Sequence, residues 1–110
     1  MLPQNSVMFT ANPQRVDSPT KFSVYCNSTE VLLSPWDMRI NVMENIPPKE
    51  GQAQLMVHGS VVMSPVHAKA LLQALTQTIT LYEEKFGELD VQKILAAQKA
   101  MVEAATPVSA

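Results

Sequence analysis

VVMSPVHAKALLQAL, Val61 to Leu75, changes its period in mid-course. Up to Met63 the pattern alternates. Ala53, Leu55, Val57, Val61 and Met63 share one parity, with Gly59 interrupting, and Gln54, Met56, His58, Ser60 and Val62 share the other. That is a strand from Gln52 to Met63. After Ser64-Pro65 the apolar residues recur at helical spacing instead. Ala68, Leu72, Leu75, Ile79, Tyr82 and Phe86 step by four and three, and Leu71 widens the stripe. Ser is a preferred N-cap, Pro is preferred at the first helical position, and Gly87 stands where a helix stops. The reading is a helix from Pro65 to Phe86, about 33 Å long at 1.5 Å per residue.

Upstream, VLLSP, Val31 to Pro35, repeats the opening of this stretch but leads to a different end. A proline suits the second position of a turn, so Ser34 to Asp37 reads as a hairpin corner. The implied register sets Leu33 against Met38, Val31 against Ile40, Thr29 against Val42 and Glu30 against Asn41. Apolar pairs then fall on one face, with Leu32 against Arg39 as the exception. A turn opened by Pro departs from the favoured two-residue hairpin turns, which argues for a slightly longer loop. The first strand is expected to begin near Lys21, because Phe22, Val24 and Cys26 alternate, with a bulge at Asn27-Ser28. ENIPPKEG, Glu44 to Gly51, reads as a loop by composition. Asp90 is a cap for a second helix from Val91 to about Ala105, with Val91, Ile94, Leu95, Met101 and Val102 as a weaker stripe and Pro107 as its end. The expected fold is α+β: an antiparallel meander of three to four strands packed against one long helix, plus a shorter second helix. Residues 1–20 read as a flexible N-terminal arm, 21–89 as a single domain and 90–110 as a helical extension and tail.

Composition removes several classes of function. The chain has 110 residues, 46% hydrophobic and 16% charged, where soluble proteins average about 25% charged. A net charge of −2 without a basic block gives phosphate backbones nothing to bind, so no nucleic acid is expected. No apolar run approaches the roughly 18 residues of a membrane span, and the opening residues lack the pattern of a signal peptide. The single cysteine, Cys26, cannot close an internal disulfide, which suits the cytoplasm.

The residues also match a pattern. Tyr25-x-Asn27, Ser34-Pro35-x-Asp37-x-Arg39, Met63-Ser64-Pro65-x-His67-Ala68-Lys69 and Tyr82-Glu83-x-x-Phe86-Gly87 together resemble the prokaryotic family called domain of unknown function 3467. The resemblance runs from Tyr25 to about Leu89 and is most specific in its second half. Met38, Val42 and Met43 stand where that family tends to have aromatics and a glycine. The resemblance implies a small α+β unit and supplies no catalytic residues. Antiparallel strands followed by a long helix also give a looser architectural likeness to the export chaperone SecB.

Candidate chemistry is thin. His67, at the third helical position, sits where the helix dipole disfavours a positive charge. A neutral imidazole can act as base or metal ligand, and a helix-start residue touching a strand end is the bland reading. Joining His58 to His67 at a metal needs a third ligand, and no ligand spacing is present. Cys26 reads as a small core residue, Asp37 as the close of a turn, and Arg39 and Asn41 as a solvated face. Met38 and Met63 fall on core parities; Met56 does not.

The anomaly that remains is a lack of charge. From Gly51 to Tyr82 the one formal charge is Lys69. Solvated helix faces usually carry Lys and Glu, and depletion of charge marks the centres of interfaces. The expected interface therefore comprises Met56, His58, Ser60 and Val62 on the strand and Gln73, Thr76, Gln77 and Thr80 on the helix. The helix stripe is expected to cover its own sheet. The expected function is a non-enzymatic homo-oligomeric interaction or structural module without cofactor, its partner a second copy or another protein. A SecB-like client binder is the alternative, which dye-binding apolar surface on the oligomer would favour. A metal protein or enzyme using His58 and His67 is a further one, which stoichiometric metal would favour.

Overall fold

A computed structural model describes residues 5–105. Pro107 and the ends of the expected arm and tail, residues 1–4 and 106–110, lie outside the described residues. Three strands, β1 (Ser28–Leu33), β2 (Met38–Lys49) and β3 (Gln52–Met63), form an antiparallel sheet in the order β1-β2-β3. Two helices follow, α1 (Pro65–Phe86) and α2 (Val91–Ala105).

The Ser-Pro corner sets the β1–β2 register as the sequence predicts: Leu33 lies opposite Met38, Val31 opposite Ile40 and Thr29 opposite Val42. Ser34 holds the corner. Its hydroxyl accepts from the Trp36 and Asp37 amides at 3.2 and 3.1 Å and donates to the Asp37 carboxylate at 3.1 Å. The second Ser-Pro starts α1. The Ser64 hydroxyl accepts from the His67 amide at 3.2 Å, and Gly87, at φ 103°, donates its N–H to Glu83 O at 3.0 Å. Asp90 caps α2 by accepting from the Lys93 amide at 2.9 Å.

Two expectations are corrected. β1 begins at Ser28 rather than near Lys21. The preceding residues have no ladder partner, although the Asn27 amide donates to Met43 O at 3.0 Å. The segment expected to be a loop, Glu44 to Gly51, is mostly strand: β2 continues to Lys49. Asn45 pairs with Leu55 and Ile46 with Gln54, and the register then shifts before Lys49 pairs with Gln52. Pro47 and Pro48 occupy that irregularity, where a residue without an N–H costs the ladder nothing. The turn is only Glu50-Gly51, with φ 54° and 77°. Two consecutive left-handed residues make the type I′ hairpin turn, whose twist matches that of the strands.

A second irregularity matters more. Val42 pairs with Gly59 but Met43 pairs with Val57, so β3 carries an extra residue at His58. Such a bulge shifts parity along the strand. Ser60 and Val62 lie across from Asn41 and Arg39, whereas Met56 lies across from Glu44. Glu44 has the opposite parity from Asn41, so Met56 is on the other face of the sheet from Ser60 and Val62.

The sheet and α1 enclose little. Met43, 9% exposed, is the one buried residue among those described. The accessible surface is 9969 Å², against about 6000 Å² for a compact chain of this mass. The radius of gyration is 17.9 Å, where compactness would give about 13 Å. Close backbone contact between elements is concentrated in the two strand pairs. α1 meets the sheet only near its start, where Ala68, Leu71, Leu72 and Leu75 face Val31, Met38, Ile40 and Met63 across an open groove.

The Ser64 cap is tested directly. Ser64→Ala is expected to lower unfolding stability by about 1 kcal/mol, read as a reduced urea midpoint at a matched protein concentration.

Candidate interaction surface

The four-and-three spacing of α1 gathers its large apolar residues into one stripe. That stripe is bare. Leu72 is 63% exposed, Leu75 50%, Ile79 47% and Phe86 72%. Tyr82 and Phe86 already pack on each other, with ring centroids 4.9 Å apart. On the sheet side of the groove Val31 and Val61 are exposed as well, while Met38, Ile40 and Met63 are half-buried. The result is an apolar surface running from the sheet groove along the helix stripe, the kind of exposed patch that marks an interaction site.

Another face of α1 is partly covered from within the chain. Asn5 donates to the Thr78 hydroxyl at 2.9 Å, and the Phe9 ring meets the His67 ring edge-on with centroids 5.6 Å apart. Asn5 to Met8 lie beside Ala70, Gln73, Ala74 and Gln77. The N-terminal segment thus runs antiparallel to the helix, with its start near the middle of α1 and Phe9 near the helix start. Periodicity could not announce this contact. The available sign was Phe9, the only aromatic residue in the first twenty.

The residues expected to form an interface are distributed differently. Gln73 and Gln77 border the N-terminal segment. Thr76 and Thr80 are exposed, and their hydroxyls donate to Leu72 O and Thr76 O at 2.8 and 2.9 Å. Ser60 accepts from Arg39 Nη1 at 3.2 Å, and Val62 is exposed on the same sheet face. Met56 is exposed on the other face. His58 Nε2 lies 3.1 Å from Glu44 Oε1, a partner that the sequence pattern did not suggest.

His58 and His67 each have a neighbour of their own, Glu44 and Phe9. Among the described residues no three His, Cys, Asp or Glu side chains come together to hold a metal ion. Cys26 is exposed rather than a core residue. Asp37 is engaged in the hairpin corner, and Asn41 donates to Glu30 at 2.8 Å. Among the described residues no helix is long and apolar enough to cross a membrane.

Comparison with known families adds one fact. The family described as "Protein of unknown function (DUF3467)" matches residues 4–91. The chain is a DUF3467 protein. The DUF3467 match takes in the N-terminal segment on α1, the whole sheet, α1 itself and the turn into α2, so it begins well before Tyr25. No curated protein and no solved structure matches the chain.

The N-terminal contact makes a local prediction. Phe9→Ala removes the ring beside His67 and is expected to shift the His67 imidazole resonances in NMR spectra while those of His58 stay in place.

Proposed function

We propose that the protein is a non-enzymatic, homo-oligomeric protein-interaction module, and that its smallest working form holds two copies. The observation that carries this reading is the bare stripe of α1, continuous with a half-open groove on the sheet. Apolar surface leaves water at roughly 25 cal/mol per Å², so a helix with its stripe in solvent gives up most of the stabilisation its pattern offers. A second copy is the simplest cover, because it is always available and closed symmetric pairs are the commonest assemblies. The absence of charge from Gly51 to Tyr82 except at Lys69 supports the same reading. A single cysteine supports a reducing compartment, the cytoplasm.

A chaperone-like role is the second reading. Leu33 and Trp36, 79% and 84% exposed at the hairpin corner, support it, because they add exposed apolar surface beyond the helix stripe.

Sedimentation decides the first reading. The wild-type protein is expected to run as a dimer or larger at micromolar concentration. Ile79→Asp places a charge in the stripe and is expected to shift the protein to single copies, with increased binding of a hydrophobic dye. A well-folded wild-type protein that sediments as one copy would sink the proposal. Strong dye binding by the intact wild-type oligomer would move weight to the chaperone reading.

A further inference from the structure

The exposed stripe has an internal symmetry. Its positions, Ala68, Leu72, Leu75, Ile79, Tyr82 and Phe86, read the same in both directions about Gln77. We infer that two copies pair through antiparallel α1 helices, with the two-fold axis crossing the stripe at the level of Gln77, near Thr76. This deepens the proposed function and rests on it. The pairing sets Ala68 against Phe86 of the second copy, Leu72 against Tyr82 and Leu75 against Ile79. The smallest residue meets one of the largest, so the layers interdigitate, and three-and-four spacing is that of knobs-into-holes helix contact. The Tyr82–Phe86 ring pair, preformed on the far half of one helix, reaches the groove beside Ala68 and Leu72 on the other. Each helix then covers its own sheet with its first half and the other copy's groove with its second.

Charge favours this orientation. Lys69 and Glu83 flank the stripe on the same side, while Lys85 lies on the opposite flank. Antiparallel pairing about Gln77 sets Lys69 of each copy about 3 Å along the axis from Glu83 of the other, within reach of a long side chain, giving two opposite-charge contacts. A parallel pairing gives neither residue an opposite charge. Among the described residues neither takes part in an ion pair within its own chain. Glu83 uses one oxygen to accept from the Leu89 amide at 2.8 Å, which leaves the other available. The N-terminal segment lies on a different face of α1 and keeps the stripe clear. The open surface of one chain, 9969 Å² against about 6000 Å² for a compact chain of its mass, leaves room for an interface of the size permanent pairs use.

Cross-linking tests the geometry. In a Cys26→Ser background, Thr76→Cys places the thiols of two copies about 3 Å apart along the helices, beside the axis, and Glu83→Cys places them about 18 Å apart at 1.5 Å per residue. A short bismaleimide is expected to link Thr76→Cys into covalent dimers and to leave Glu83→Cys unlinked. Lys69→Glu is expected to weaken self-association about tenfold, and adding Glu83→Lys to restore most of it, with circular dichroism confirming unchanged helix. Equal linking of both cysteine variants means parallel helices and overturns the inference. A wild-type dimer in which neither variant links overturns it too, while leaving the homo-oligomeric reading intact. Wild-type protein that sediments as a single copy removes both.

Discussion

An apolar helix stripe has to leave water, and among the described residues most of this one stays exposed. Most of the structure answers to that constraint. The sheet has two long strands and one short one, and α1 touches it only at one end. A chain this short has little apolar material to spare, and small domains bury a smaller share of their surface than large ones. Here that material is laid out along a sheet face and a 22-residue helix instead of being wrapped around one centre. The polar side of α1 is poor in charge between Lys69 and Glu83, and it is partly occupied by the N-terminal segment. The two faces of the helix therefore differ: one is met from within the chain and the other stands open among the described residues.

The secondary structure was legible wherever local chemistry is self-sufficient. The two Ser-Pro pairs show this. A serine hydroxyl satisfies amides at a hairpin corner or at a helix start, and the spacing that follows, two or 3.6, tells which. Both uses, the β1–β2 register and both helices are in the structure as the pattern implied. The failures have equally local causes. Pro47 and Pro48 made a continuing strand look like a loop, because a bulge that absorbs prolines leaves no mark in composition. Phe22, Val24 and Cys26 alternate without finding a strand to pair with, and alternation alone forms no ladder.

The exposed apolar surface was legible only in part. Charge depletion pointed to β3 and α1, while the bare stripe lies on a different side of α1 from Gln73 and Gln77. Periodicity reports that Leu72, Leu75, Ile79, Tyr82 and Phe86 form a face; it does not report what lies against that face. The natural assumption, that a stripe beside a sheet lies on that sheet, holds for the first half of the stripe, where Ala68, Leu72 and Leu75 face Met38, Ile40 and Met63. On β3 the difficulty was the single extra residue at His58. Strict alternation put Met56, His58, Ser60 and Val62 together, and one inserted residue separates them between two faces.

That extra residue has a consequence beyond the placing of side chains. β3 is an outer strand of twelve residues without a formal charge, the kind of border that invites endless lateral growth into fibrils. The kink at His58-Gly59 bends that border and spoils its flatness. A straight template of six or seven residues is what runaway stacking needs, and the kink divides the strand into two pieces of about that length or less. The irregularity thus works as a guard against polymerisation on a protein that has few charged side chains to do the same work.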